Sequence, residues 1–480
     1  MQTTTLGSVQ MPKNHIKSTK NATVFKAARK QKATASDSIS KTPTWKHLLK
    51  FALPTILSML IMSSFGIVDG IFVSRLIDQM ALGVVGLVFP FVAFVMAFGF
   101  MLGVGGNALV AKKIGEGRVK EGRENFSLIA IAALLGSVLL TVVGVLFPGF
   151  ILNILGVDYF ARNMAMEYMR PMLWFLPFAV LGMVFQQFLI TAGKAHYSAV
   201  VSLIGGLLSA GLNYVFIAIL DMGLGGAAIA TCIGFTLPFV VGAIYFTFAR
   251  KGDIYLVLPK WDYKALGRSC VNGASEMVTM LATSITTVLM NNVLMNIEGG
   301  GMMAVGAAAI MFGGMGIFAS IFIGYSSGVA PIISYNYGKG DTTNLKRAFA
   351  NSLRLIIILS VVSVIMAIFL TDALIWVYDI PSGTPMHDMA RTGMLFLASG
   401  FVFMGINSFA SMFFTALNNG VISSLLSLFR TLIFVVIAFV TLPAIFGLNG
   451  AWAAMPSAEV AAIVLSVLAF VIMRKRYKYA

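Results

Sequence analysis

The chain has 480 residues, of which 58% are hydrophobic and 11% charged, with a formal net charge of +16. Soluble globular chains hold about 25% charged residues, so this composition excludes a water-soluble domain and indicates a polytopic membrane protein. Lipid admits only helices and closed barrels as spanning structures. Barrels show alternating segments of about 10 residues, whereas the apolar runs here are long and continuous, so the fold class is an all-α integral membrane bundle.

Residues 1–45 form a basic arm carrying Lys13, Lys17, Lys20, Lys26, Arg29, Lys30, Lys32 and Lys41, rich in Ser, Thr and Ala. Its low apolar content predicts disorder. It lacks the short apolar core and small-residue cleavage site of a signal peptide. Concentration of the positive charge in this arm favours a solvated tail, able to touch anionic lipid, over a nucleic-acid partner. Cys232 and Cys270 fall in different expected spans, so neither a disulfide framework nor a cysteine metal site is expected.

Twelve apolar runs follow, at approximately 47–75, 80–110, 126–150, 166–190, 198–220, 227–249, 269–297, 303–337, 350–372, 391–416, 422–446 and 450–473. Each is long enough to cross a bilayer, which takes about 20 residues. Lys and Arg cluster in the arm, in the loops after the even-numbered spans and in the tail "RKRYKY". The other side carries only Arg75, Arg162, Arg170 and Arg391. Cytoplasmic loops are the basic ones, which predicts a plasma-membrane protein with both termini cytoplasmic.

The chain repeats itself. At an offset of 223, "GEGRVKEGRENF" (115–126) lies against "GKGDTTNLKRAF" (338–349), matching Gly115, Gly117 and Phe126 to Gly338, Gly340 and Phe349. One residue later in register, "GLGGAA" (223–228) lies against "GLNGAW" (447–452). Two lobes of six helices are expected: an N-lobe over 46–249 and a C-lobe over 269–473, joined by a cytoplasmic linker over 250–268 and followed by a tail over 474–480. Six spans per half give both halves the same orientation, an arrangement found in secondary transporters, whose substrate site lies between the repeats. No G-x-x-x-x-G-K-[ST] loop is present, so active transport would draw on an ion gradient. No metal cluster or nucleophile–base set appears, so an enzyme is not expected and no cofactor is implied.

Several stretches together resemble the MATE (multidrug and toxic compound extrusion) family, in its bacterial branch near the DinF- and MepA-type exporters. They are "LPTILSMLIMSSFGIVDGIFVSRL", "GNALVAKKIGEGR", "LNYVFIAIL…MGLGGAAIAT", "VNGASEMV", "GVAPIISYNYGKGD" and "FGLNGAWAAMPSAE", and the likeness runs from about residue 46 to 475. The resemblance implies two lobes around a central cleft and an antiporter that exports bulky, often cationic drugs and other organic molecules in exchange for H+ or Na+. A flippase for a lipid-linked precursor or endogenous metabolite is the alternative, and it would want a basic cleft. A non-transporting receptor or channel is a third reading. The expected partners are small organic cations and the lipid bilayer, with the protein acting as a monomer.

The intramembrane polar residues carry the functional argument. Asp69 stands alone in "FGIVDGIFVSRL"; an acid at mid-membrane costs about 2.5–3.5 kcal/mol on insertion scales and marks a functional site by default. The resemblance matches Asp69 to a first-span acid implicated in ion coupling, and Asn213 to a neighbouring Asn. Gln187, with Gln186, and Thr231 could complete the cluster. Where the family often has an acid four residues after Asn213, this chain has Ile217, which disfavours a well-liganded Na+ site and tilts the reading toward protons. The repeat places Asn292 opposite Asp69, so coupling should be asymmetric and reside in the first lobe. In the second lobe, Glu276 and Arg430 enter their spans to similar depth, which predicts a self-neutralising structural pair, since buried charges are normally paired. Glu459 lacks an obvious partner at its depth and is the second-lobe candidate for ion or cation contact. Asn407 replaces an acid that some family members carry in span 10.

Overall fold

A computed structural model describes residues 39–480 apart from 78, 156, 158, 160, 249–251 and 379. The expected arm lies outside the described residues as far as residue 38. From Ile39 onward the chain is packed rather than disordered: Ile39 is buried in a hydrophobic cluster of the second half, and the Pro43 carbonyl accepts a hydrogen bond from Asn351 Nδ2 at 2.8 Å.

Long helices follow one another: α1 (Trp45–Leu76), α2 (Gln79–Gly115), α3 (Val119–Leu146), α4 (Arg162–Thr191), α5 (Ala195–Asn213), α6 (Gly223–Phe248), α7 (Tyr263–Asn296), α8 (Met302–Lys339), α9 (Thr342–Val377), α10 (Pro385–Ala416), α11 (Gly420–Leu428) and α12 (Phe434–Tyr477). Capping side chains start several of them. Thr44, Asp262, Asp341, Thr384 and Asn419 each accept from a backbone amide of the first turn, which satisfies a donor the helix cannot pair internally. The last apolar stretch runs from Gly420 to Tyr477. It makes two crossings because Gly447 breaks it with φ 58° and ψ −141°. Among the described residues the architecture is therefore twelve crossings in two six-helix lobes around a central cleft.

The fifth helix of each lobe contains a π-helical turn, Tyr214–Ile219 directly after Asn213 and Phe429–Ile433 around Arg430. Such turns are rare and concentrate at functional sites.

Each lobe has its own hydrophobic cluster, yet the lobes exchange helix ends. Leu48, Ala52, Ile56 and Met59 of α1 are buried in the second lobe's cluster. Reciprocally, Leu266 and Cys270 of α7 pack against the first lobe's cluster. Glycines permit this crossing, because they let helix backbones touch. A Cβ on Gly105 would lie 2.0 Å from the Ser269 carbonyl oxygen, and one on Gly324 would lie 2.6 Å from Ile56 Cα. Hydrogen bonds joining the lobes lie at the same end: Asn418 Nδ2 donates to the Ala108 carbonyl at 3.2 Å and Asn272 Nδ2 to the Gly105 carbonyl at 3.5 Å. Toward the opposite end, a Cβ at Gly66, Gly83, Gly86 or Gly316 would meet open space. The lobes are sealed at the end that carries Trp45 and Tyr477.

Candidate functional site

In the first lobe, α1, α5 and α6 converge on Asp69. Asn213 Nδ2 donates to Asp69 Oδ1 at 2.6 Å, and the Thr231 hydroxyl lies 2.7 Å from Oδ2. Asn213 is fully buried and Thr231 nearly so, while Asp69 is partly buried. Both carboxylate oxygens thus face a donor supplied by another helix, as an intramembrane charge requires. The Thr231 hydroxyl is also 3.1 Å from the carbonyl of Ala227, so its single proton has two acceptors within reach. Asn213 Oδ1 is buried and has no hydrogen-bond partner among the described residues. Asp69 borders a cavity of about 270 Å³ between α1 and α5, lined also by Ser64, Phe65, Gly206 and Ser209.

Gln187 does not join this cluster. Its side chain packs on Gly103 of α2, and its backbone carbonyl accepts from Asn107 Nδ2 at 3.3 Å. Gln186 Nε2 reaches Ser202 at 2.5 Å. Adjacent residues on a helix face different directions, so two consecutive glutamines cannot serve one site. Ser209, one turn before Asn213, was not among the expected residues; it is buried on the same cavity wall as Asp69, with its hydroxyl turned to the carboxylate.

The second lobe departs from expectation in its pairing. Arg430 Nε lies 2.8 Å from Glu459 Oε1 and 3.1 Å from Oε2, with the two side chains 10% and 16% exposed. Asn407 Nδ2 donates to Glu459 Oε2 at 2.8 Å and to the Glu459 carbonyl at 3.0 Å, and Ser466 Oγ donates to Asn407 Oδ1 at 2.8 Å. The expected Glu276–Arg430 pair is therefore replaced by Arg430–Glu459, and Glu459 is not the unpartnered acid. Arg430 sits in the π turn, which shifts its side chain off the phase that residue counting assumes. Among the described residues Glu276 makes no ion pair within 4.0 Å, although it lines one cavity of about 270 Å³ with Arg430 and Glu459. Thr279, Thr283 and Thr286 continue that wall. With Glu276 they form a polar stripe at helical spacing, a signal in the sequence that went unused. Asn292 lies elsewhere: it is exposed, and its carbonyl accepts from Asn296 within α7. The two lobes thus place their polar groups at positions the repeat does not relate. Among the described residues, no group of three His, Cys, Asp or Glu could hold a metal ion.

An apolar pocket of about 50 Å³ lies between α2, α4 and α6, lined by Phe91, Met96, Met172, Phe175 and Met183. Met is flexible and polarizable and adapts to varied apolar shapes.

A helical bundle of two repeated six-helix lobes, with a hydrogen-bonded acid inside one of them, defines a multi-pass membrane transporter. The MatE family model matches residues 54–215 and 276–440, one segment in each lobe, and the chain belongs to the MATE family. It is similar to the multidrug export protein MepA of Staphylococcus aureus, at 24% identity over 451 residues covering 91% of this chain and 95% of that one. The MepA of Staphylococcus saprophyticus is 22% identical over the same span. These relatives are export proteins rather than enzymes and support a MepA-like bacterial branch. Among solved structures, an outward-facing multidrug resistance MATE transporter of the MOP superfamily superposes with a TM-score of 0.84 at 20% identity, covering 93% of this chain and 98% of that one. A MOP superfamily transporter of Pyrococcus furiosus, described by the reverse polarity of its binding pocket, superposes equally well, with a TM-score of 0.84, 20% identity and the same coverage.

Proposed function

We propose that this chain is an antiporter, coupled to H+ rather than Na+, that exports lipophilic and often cationic organic compounds by alternating access. The observation that carries the reading is the pair of donors on Asp69. Asn213 Nδ2 and the Thr231 hydroxyl occupy both carboxylate oxygens. Position 217, where a second acid would help hold Na+, is a buried Ile. A sodium ion wants several oxygen ligands, whereas a proton needs one. When Asp69 is ionised, Thr231 donates to Oδ2. When Oδ2 takes a proton it donates to Thr231 Oγ1, and the hydroxyl proton turns to the Ala227 carbonyl, 3.1 Å away. Both states leave every group in this exchange bonded, so Asp69 can load and unload without stranding a polar atom.

In this reading the sealed end is cytoplasmic, following the distribution of Lys and Arg, and the cleft faces outward. The single chain holds the whole pathway and works as a monomer in the plasma membrane. Export of bulky organic compounds follows the family and the multidrug-exporting MepA relatives. The flippase alternative fits less well, since Arg430, the cation deepest in the second lobe, is neutralised by Glu459.

The test is drug uptake into everted vesicles under an imposed pH or Na+ gradient, comparing wild type with Asp69→Asn. A pH gradient should drive wild-type uptake and fail to drive the variant. Uptake driven equally well in Asp69→Asn would overturn the coupling role, and a requirement for Na+ would overturn the choice of ion.

A further inference from the structure

Lys346 at the start of α9 and Arg474, Lys475 and Lys478 at the end of α12 line a concavity of about 470 Å³, completed by Thr342 and Ala480. Among the described residues none of the four is ion-paired within 4.0 Å. A general excess of cations at this end of the bundle accounts for their presence. It does not account for their convergence on one hollow, and the repeat shows what a self-sufficient arrangement looks like.

At the offset of 223 Lys346 corresponds to Arg123; past Gly223 the register is 224, where Arg474 and Lys475 correspond to Arg250 and Lys251, Lys478 to Ile254 and Tyr479 to Tyr255. In the first lobe the segment after α6 folds back over the start of α3. Arg123 there donates to the carbonyls of Asp253 and Gly252 at 2.9 and 3.3 Å and stacks 4.1 Å from the Tyr255 ring centroid. Ile254 is buried beneath it. In the second lobe the segment after α12 folds back in the same way over the start of α9. Tyr479 is buried, packs its ring tilted against Phe349 with centroids 4.8 Å apart and donates its hydroxyl to the Phe470 carbonyl at 2.8 Å. The scaffold is the same and Tyr255 has its counterpart in Tyr479, but that ring is buried against Phe349, so Lys346 lacks the partners of Arg123, and Lys478 stands where the first lobe has the buried Ile254. Lys478, held at φ 55°, joins Lys346, Arg474 and Lys475 around the hollow with no internal partner. One turn deeper, Val467, Leu468, Val471 and Ile472 of α12 are exposed apolar residues, a surface for acyl chains leading straight to the cations.

We infer that this pocket binds the phosphate of an anionic phospholipid, with the acyl chains laid along α12. Basic pockets between helices at the membrane surface take such headgroups, and here the lipid phosphate takes the place of the carbonyl acceptors that Arg123 finds in the first lobe's own chain. The site is independent of the transport pathway, so its test does not read transport.

The full chain, purified in detergent, is titrated with phosphatidylglycerol or phosphatidylcholine, and retained lipid and melting temperature are followed by native mass spectrometry and thermal unfolding. Phosphatidylglycerol should be retained saturably and raise the melting temperature. Lys346→Gln/Arg474→Gln/Lys475→Gln/Lys478→Gln should weaken retention by on the order of tenfold or more. Lys120→Gln/Lys260→Gln/Lys264→Gln/Arg268→Gln, which removes as much charge elsewhere, should retain it. Lys346→Arg/Lys478→Ile, which places the first lobe's residues at both positions, should fold and bind the lipid less. Equal loss in the pocket and control variants, no preference for phosphatidylglycerol over phosphatidylcholine, or the same stabilisation from inorganic phosphate alone would each overturn the proposal.

Discussion

Gly115 and Gly338 hold equivalent positions in the two repeats, and each lies against the other lobe's backbone. A Cβ on Gly115 would come within 2.2 Å of the Tyr335 carbonyl oxygen, and one on Gly338 within 2.1 Å of the Lys112 carbonyl oxygen. The two contacts are reciprocal, so the seal between lobes is made twice by the same sequence element. Because the opposing atoms are backbone, they cannot move aside as a flexible side chain would. Overpacking of a tight contact costs about 1–3 kcal/mol, and here that cost falls on the sealed state alone. Gly115→Ala and Gly338→Ala should therefore shift the population toward the state open at this end, by about five- to a hundredfold. Spin-label distances across the α2–α8 junction read the shift. Gly149→Ala, where a Cβ meets nothing within 4 Å, should leave the distribution unchanged.

The proton exchange proposed at Asp69 depends on a hydroxyl that can both donate and accept. Thr231→Ser keeps that hydroxyl and should retain proton-driven transport. Thr231→Val keeps the shape, removes the donor 2.7 Å from Asp69 Oδ2 and should lower gradient-driven uptake by on the order of tenfold, with a loss of stability of about 1 kcal/mol for the missing hydrogen bond. Substrate binding in the absence of a gradient should change far less. If both variants transport alike, Thr231 serves packing alone.

Arg430 and Glu459 form the buried ion pair of the second lobe, and Asn407 holds the carboxylate from the other side. Removing one partner of such a pair leaves an uncompensated charge and costs about 3–5 kcal/mol, whereas replacing both by apolar or neutral groups is often neutral. Arg430→Met should lower the melting temperature sharply, and Arg430→Met/Glu459→Gln should recover most of the loss. A double variant no more stable than Arg430→Met would show that Arg430 answers to another anion, with Glu276, in the same cavity, the first to examine.

The crossings were legible because each is a long apolar run, and the lobes because "GEGRVKEGRENF" and "GKGDTTNLKRAF" survive at a fixed offset. The Asp69 cluster was legible in part: Asp69 as a lone intramembrane acid, Asn213 through the family resemblance, and Thr231 only as one polar candidate beside Gln186 and Gln187. Residue counting gives depth but not direction. That is why Glu276 and Arg430 share a cavity yet do not pair, and why Gln187 turned out to face α2. The π turn at Phe429–Ile433 and the break at Gly447 alter phase in ways that no apolar pattern records. The exchange of α1 and α7 between lobes was invisible for a different reason: a repeat reveals which residues are equivalent, not which copies touch.

Asp341, in the loop before α9, offers a pH-dependent stability that can be checked outside the membrane region. Its Oδ1 accepts from the Asn344 amide at 3.0 Å, its Oδ2 from Asn344 Nδ2 at 3.0 Å, and Lys339 Nζ stands 3.7 Å away. These contacts, the backbone hydrogen bond first, hold its carboxyl below the ordinary value of 3.8. A group whose folded value is depressed adds stability above its unfolded value, and that stability is lost as pH falls through the folded value. Asp341→Ala should therefore cost about 1 kcal/mol at neutral pH, the usual price of losing such a helix cap. The gap from wild type should close as pH drops beneath 3.8, because protonated Asp341 is a poorer acceptor. Thermal unfolding of both proteins in one detergent at pH 7 and at about pH 3 measures it. A gap of the same size at both values would mean that Asp341 acts through its shape and not its charge.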